Sequence, residues 1–233
     1  MRQIVLDTET TGLEASLGHR IIEIGCVELI NRRATGRTFH HYLDPEREID
    51  AAAQAVHGIS RQQLQGKPRF ADIAGQLAEF VAGSELIIHN AAFDTAFLDA
   101  EFARVPLASP VRIAVLCRIL DTLLLAREMH PGQRNTLDAL CKRYSVDNSH
   151  RDLHGALLDA RILADVYLAM TGGQSALALG EGRPGSRQAA EATPVLRSRE
   201  LLVRRASAAE LDAHEQLLLL LDKSGKAPCL WRS

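Results

Sequence analysis

Asp7 and Glu9, in Val5-Leu6-Asp7-Thr8-Glu9-Thr10-Thr11-Gly12, are two carboxylates one residue apart at the end of the apolar run Ile4-Val5-Leu6. On an extended chain, residues i and i+2 point the same way, so the two acids project together. Like charges held that close repel unless a cation lies between them. Oxygen-only ligands favour Mg²⁺ or Mn²⁺ over zinc. Gly12 then permits a sharp exit from the strand. An Asp-x-Glu by itself is also what a strand end with solvated acids looks like. The chemistry therefore depends on whether distant segments supply further ligands.

Two segments offer them. Asp94 follows Asn90 by four residues in Ile88-His89-Asn90-Ala91-Ala92-Phe93-Asp94, where the wholly apolar run Leu86-Ile87-Ile88 gives way to a helical pattern. This is the carboxyl end of a central strand, where open α/β sheets place ligands; the dipole of a helix start also favours an acid there. Asp159 lies in Leu153-His154-Gly155-Ala156-Leu157-Leu158-Asp159-Ala160 on an amphipathic stretch, beside Leu158 and Ile162. His154 precedes it by five residues, which on a helix is a divergence of about 140°. The histidine is therefore expected on the loop or first turn, over a site that Asp159 reaches from below.

The elements that must position these residues can be read from periodicity. Strands are expected over Gln3–Asp7, Ile21–Ile30 and Thr38–Leu43, with a turn over 31–36, as an antiparallel meander. Helices are expected over 49–56, 70–81, 92–104, 136–144 and about 153–170, with a central strand over 86–89 and another short apolar run ending at Leu120-Asp121-Thr122. Three strands followed by alternating helices and strands describe an α/β fold with a mixed sheet, ending near residue 172. Residues 173–200 are rich in Gly, Ser, Ala, Gln, Glu and Arg and read as a flexible linker. Residues 208–223 read as a helix, and the single Trp, Trp231, follows. A segment this small cannot build a core. It is expected to dock on another protein, the alternative being a helix folded back on the domain.

The bulk properties narrow the function. The chain has 233 residues, 46% hydrophobic and only 4% aromatic, enough for one core made mostly of Leu, Ile, Val and Ala. A net charge of −2 excludes a protein that coats nucleic acid electrostatically, so any such substrate is held locally. Cys26, Cys117, Cys141 and Cys229 form no C-x-x-C pair, which argues against zinc and a disulfide framework. With no leader and no apolar span of about 20 residues, a soluble cytoplasmic protein is expected.

Together, D-x-E at a strand, N-x-x-x-D at a strand-to-helix junction and H-x-x-x-x-D before a late helix resemble the DnaQ-like 3′→5′ exonucleases, with their DEDD acid set and histidine base. The resemblance covers residues 1–172. It narrows to the epsilon proofreading subunits of bacterial DNA polymerase III through Ile4–Gly12, Val56-His57-Gly58-Ile59, Ile88–Asp94, Arg134–Cys141, Leu153–Ala160 and Val166–Gly173. It implies a ribonuclease-H-like mixed five-stranded sheet flanked by helices. It also implies metal-dependent removal of mispaired nucleotides from DNA 3′ ends as 5′-mononucleotides. Asp7, Glu9, Asp94 and Asp159 would hold two divalent cations, Mg²⁺ or Mn²⁺, with Asp7 bridging them. His154 would be the general base; His150 is nearby, but its spacing does not fit the motif. Thr8 and Thr10 would meet the terminal nucleotide, with Thr8 near its 3′ hydroxyl. Asn90 would make a polar contact, Phe93 a stacking contact, and His57 would line the site.

The implied partners are a single-stranded DNA 3′ end, the polymerase III alpha subunit through residues 201–233, and a theta-type subunit. A sliding clamp would be met weakly through Gln174-Ser175-Ala176-Leu177-Ala178-Leu179, where Leu stands in place of the aromatics of stronger motifs. The domain reading is thus 1–172 nuclease, 173–200 linker and 201–233 docking segment. Two rivals stand beside it. An RNA-directed member of the same family is disfavoured by the linker and apolar tail. A non-catalytic adaptor is disfavoured because all five motif residues are present.

Overall fold

Five strands form one sheet: β1 (Arg2–Thr10), β2 (Ile21–Ile30), β3 (Arg33–Tyr42), β4 (Glu85–Ile88) and β5 (Arg118–Asp121), in the order β3-β2-β1-β4-β5. The first three pair antiparallel as a meander, and β4 and β5 add in parallel on the other side of β1. The computed structural model describes residues 1–106, 111–149, 153–172 and 206–224. The chain divides into two units, Met1–Ala178 and Leu179–Ser233.

β1 is central, and Ile4, Val5 and Leu6 are fully buried because the sheet is covered on both faces. Ile4 and Leu6 join Phe70, Leu77, Phe97 and Phe102 of α3 (Phe70–Val81) and α4 (Ala91–Arg104). Val5, one pleat over, packs with Ile87, Leu163 and Tyr167 on the opposite face, under α8 (Ala156–Thr171). Leu140 and Cys141 of α7 (Leu137–Tyr144) pack with Ile162 and Val166 of α8. Aliphatic residues dominate this core as expected, with three phenylalanines among its largest buried side chains.

The pairing of β1 is what creates a site. β4 accompanies β1 only from Gln3↔Glu85 to Val5↔Ile87, whereas β2 stays paired with it to Thr10. Beyond Val5, β1 therefore has an open side above the carboxyl ends of the parallel strands.

Several boundaries differ from the sequence expectation. β1 continues to Thr10 rather than ending at Asp7, so both acids lie within a strand held by β2. The turn expected over 31–36 shrinks to Asn31-Arg32, whose φ values of 49° and 64° suit a tight hairpin. Thr35-Gly36-Arg37 instead bulge from β3 over buried Glu28, which accepts hydrogen bonds from Thr35, Arg37 and Arg2. Gly12 does not adopt a positive φ; a Cβ there would collide with the His19 ring, so close approach is what requires glycine. Gly58, by contrast, ends α1 (Ala51–His57) at φ 72°. Among the described residues three α-helices were not expected, α2 (Arg61–Leu64), α5 (Ile113–Leu116) and α6 (Thr122–Met129), nor was a 3-10 turn over Ala15–Leu17.

Of the second unit, α9 (Ala208–Ser224) is described, and it matches the expected 208–223. Ser207 and Glu210 form a capping box at its start, and Leu211, Leu217 and Leu219 are exposed. Among the described residues no helix is long and apolar enough to cross a membrane. His150, the 173–200 segment with its Gln174–Leu179 motif, residues 201–205 and Trp231 lie outside the described residues.

Candidate active site

A cleft of about 720 Å³ opens above the carboxyl ends of β1 and β4, and Asp7, Glu9, Asp94, Asp159 and His154 all line it. Asp7 and Glu9 come from β1, Asp94 from the first turn of α4, and Asp159 from the first turn of α8. Three segments far apart in the chain thus contribute the four acids to one cleft.

Most of this carboxylate cluster is inside the protein. Asp159 is 2% exposed, Asp94 4% and Glu9 8%. Burial pushes the Asp94 carboxyl up to about 7 from an ordinary 3.8; the Thr8 hydroxyl, donating to Oδ1 at 2.7 Å, works against that rise, and Asp121 adds to it. Buried acids facing one another are costly unless protonated or matched by cations. Glu9, His154 and Asp159 each offer a donor atom, all within 4.8 Å of one another. The four acids offer only hard oxygen, which suits divalent cations of the Mg²⁺ and Mn²⁺ type and leaves proton transfer to the imidazole.

His154 sits just before α8, not on it: Gly155 is the extended N-cap and Ala156 the first helical residue. Freed from helical spacing, the ring places Nδ1 3.5 Å from Asp159 Oδ2 while remaining 44% exposed. Its backbone N–H donates to the Val56 carbonyl at 3.2 Å, and Leu153 packs against Gly58. The C-terminal end of α1 therefore holds the histidine loop.

Among the expected substrate contacts, Thr8, Asn90 and Phe93 line the cleft. Asn90 occupies the left-handed region, φ 65°, where the chain turns from β4 into α4. Thr10 and His57 do not line it. The Thr10 hydroxyl donates to the Gly12 carbonyl. His57 borders a neighbouring pocket of about 530 Å³ with Tyr42, Lys67 and Leu153. Burial holds the His57 imidazole below its usual range, and nearby His154 contributes to that lowering. Nδ1 of His57 accepts the Ile59 N–H.

Two positioning residues were missed in the sequence. Gly25 pairs with Asp7 across the β1–β2 ladder, and a Cβ there would run into the backbone of Ala156 and Leu157. Its bareness lets the first turn of α8, with Asp159, settle on the strand beside Asp7. The residue stands in Ile22-Glu23-Ile24-Gly25-Cys26, where an interior strand glycine is itself a signal of close backbone approach. Asp121 ends β5 and caps two helices at once. Oδ1 accepts from Leu123 N at 2.8 Å and Asn90 N at 3.2 Å, and Oδ2 accepts from Ala91 N at 3.0 Å. Asp before Thr-Leu-Leu-Leu was a readable N-cap.

With this geometry in hand, similarity to known proteins decides the family. The exonuclease family (RNase_T) matches residues 4–167. The chain is 50% identical to DNA polymerase III subunit epsilon of Escherichia coli K12 over 239 residues, covering 100% of this chain and 98% of that one. This chain belongs to the exonuclease family, with the DNA polymerase III epsilon subunits. The Salmonella typhimurium epsilon subunit is 52% identical with the same coverage, and that of Rickettsia prowazekii is 51% identical over 174 residues, 75% of this chain and 76% of that one. Among solved structures, exonuclease X in complex with 5′-overhanging duplex DNA is 26% identical, with TM-score 0.57, covering 73% of this chain and 91% of that one. Exonuclease I, 19% identical with TM-score 0.60 over 73% of this chain and 41% of that one, shares the ribonuclease-H-like fold. As a family member the chain is a divalent-metal-dependent 3′→5′ exonuclease with a proofreading role.

Proposed function

We propose that this proofreading exonuclease works through Asp7, Glu9, Asp94 and Asp159, which hold two divalent cations, Mg²⁺ or Mn²⁺, with His154 as general base. The observation that carries the assignment is that the four acids and this one histidine line a single cleft. When bound, the cations neutralise the acids and stabilise charge on the attacking and leaving oxygens of an in-line displacement.

The residues supply the rest. His154, oriented by Asp159 at Nδ1, takes the proton of the attacking water at Nε2. Water adds to phosphorus and the P–O3′ bond breaks with its electron pair on O3′; O3′ takes up one proton and His154 gives one up, leaving a nucleoside 5′-monophosphate and a strand one residue shorter with a 3′ hydroxyl. Asp94 would hold a cation as a carboxylate, so loading would release the proton that burial favours there. Thr8 and Asn90 meet the terminal nucleotide by hydrogen bonding, Phe93 by stacking, and Thr10 and His57 support them from outside the cleft. A mismatched end melts at lower cost than a paired one, so wrong termini reach the acids more often without any reading of sequence.

The domain reading is 1–172 nuclease, 173–200 linker and 201–233 docking segment. The 174-residue match to the Rickettsia relative is close to the length of the nuclease part. The assignment of 201–233 to the polymerase alpha subunit is supported by the exposed leucines of α9 and by similarity to epsilon over the whole chain. A clamp contact through Gln174–Leu179 and a theta-type subunit complete the proposed partners.

The test is direct. Asp7→Ala/Glu9→Ala should abolish release of mononucleotides from a single-stranded 3′ end with the circular dichroism spectrum unchanged; undiminished cleavage would refute the site. His154→Ala should lose orders of magnitude in kcat. Deleting 201–233 should end co-purification with the alpha subunit and spare the nuclease.

A further inference from the structure

The cleft has a second wall that this chemistry leaves unused. α6 contributes Arg127 from its last turn, and the turn between α6 and α7 contributes Arg134. Both are exposed, and neither has an ion-pair partner among the described residues. The helix dipole accounts for a cation at the end of α6, but Arg134 has no helix end to serve.

The turn that carries Arg134 is braced. Arg143 of α7 donates through Nη1 to Asn135 Oδ1 at 2.8 Å and through Nη2 to the Arg134 carbonyl at 2.9 Å. Asn135, buried, donates in turn to the carbonyls of His130 and Gln133. A forked guanidinium committed to its own chain fixes the backbone under Arg134 relative to the acids.

Charge then identifies the ligand. Two dications held as proposed above would balance the four acids on the floor, and Asp138, on the same wall, adds one more negative charge, so Arg127 and Arg134 are the positive side chains among the described lining that remain for a phosphate beyond the scissile one. A strand longer than its terminal nucleotide carries one negative charge per further phosphodiester, and the chain as a whole has net charge −2. We propose that Arg127 and Arg134 form a subsite for phosphodiester groups of single-stranded DNA on the 5′ side of the scissile bond. The subsite rests on the hydrolytic reading above. Guanidinium contacts to phosphate carry no base information, which suits an enzyme that must accept any terminal sequence.

The experiment compares two substrates of the full-length protein in Mg²⁺. One is an oligothymidylate. The other is the p-nitrophenyl ester of thymidine 5′-monophosphate, which has no phosphate beyond the one cleaved. In Arg127→Ala/Arg134→Ala, kcat/KM for the oligonucleotide should fall at least tenfold relative to that for the ester, mainly through KM. The slope of log kcat/KM against log salt for the oligonucleotide should become shallower by about 1.4, from roughly 0.7 per lost phosphate contact on a single strand. The Arg127→Lys/Arg134→Lys protein should recover most of both. A wild-type ratio and slope in the alanine variant would overturn the subsite, and so would equal losses on the two substrates, which would mean the arginines merely hold the site together. A wild-type protein inactive on both would overturn the hydrolytic reading, and the subsite with it.

Discussion

The Thr8 hydroxyl donates a 2.7 Å hydrogen bond to Asp94 Oδ1, joining β1 to the first turn of α4 across 86 positions of sequence. A donor to a carboxylate favours its ionised form, so this bond opposes the burial that lifts Asp94 to about 7. Thr8→Val keeps the shape and removes the donor. Asp94 should then rise further and give up its proton to a metal less readily. Mg²⁺ affinity at pH 7, measured by calorimetry without substrate, should weaken roughly tenfold, the scale of a hydrogen bond to a charged group. The pH at half-maximal metal binding should move upward. Unchanged affinity and midpoint would show that the bond has no part in tuning the site.

The same carboxyl sets a pH dependence in the metal-free protein. Its folded value of about 7 lies above the ordinary 3.8, so between roughly pH 4 and 7 the folded state keeps a proton that the unfolded chain releases. This group's contribution to stability therefore falls as pH rises through that window and is flat above it. Asp94→Asn removes the penalty. In chelator at pH 8 the variant should be more stable than wild type by about 1–3 kcal/mol, with the difference vanishing near pH 4. Denaturant titrations at the two pH values read it, and equal stabilities at pH 8 would contradict it. The variant should be inactive, stability gained at the cost of function.

Gly25 ties the strand acids to the helix acid. It faces Asp7 in the ladder, and its missing Cβ is the space into which the Ala156–Leu157 backbone fits. The obstacle is main chain rather than a flexible side-chain tip, so Gly25→Ala must push α8 outward. The variant should lose about 1–3 kcal/mol of stability, the usual cost of overpacking. It should lose metal-dependent nuclease activity by a larger factor than that stability change explains, because Asp159 and His154 move with the helix. A variant fully active at temperatures well below its Tm would show that α8 tolerates the shift.

How much of this was legible before the structure follows from what kind of signal each residue leaves. The acids and His154 were readable because type and spacing survive in sequence; the i to i+5 argument allowed His154 the loop or the first turn of a helix expected from about residue 153, and with α8 starting at Ala156 it lies on the loop. Phe70–Val81 was readable to the residue because an apolar stripe and a following glycine bound it. Whether Asp7 and Glu9 stand at the end of a strand or inside it depends on how far β2 pairs with β1, a tertiary fact that leaves no trace in residues 7–10. The bulge at Thr35-Gly36-Arg37 was hidden for a related reason: its polar residues look like a turn, and only the buried Glu28 beneath them shows why they belong to a strand. α6 was missed because its apolar run, Leu123-Leu124-Leu125-Ala126, has no clear period, leaving its cap as the one local mark.

That cap is Asp121, and its double duty makes a sharp prediction. One carboxylate satisfies amide groups at the start of α6 through Leu123 and Leu124 and at the start of α4 through Asn90 and Ala91. Losing a capping side chain costs about 1 kcal/mol per helix, so Asp121→Ala should destabilise the protein by roughly 2 kcal/mol. If capping were its whole role, activity measured well below the Tm would survive. But the Asn90–Ala91 turn that Asp121 clamps carries Phe93 and Asp94 into the cleft. Releasing it should lower kcat and weaken Mg²⁺ binding together, while Asp121→Asn, which keeps one acceptor oxygen, should retain α6 and recover part of the stability. A variant with lowered Tm, normal kcat and normal metal affinity would reduce Asp121 to a capping residue, because the position of Asp94 would then not depend on it.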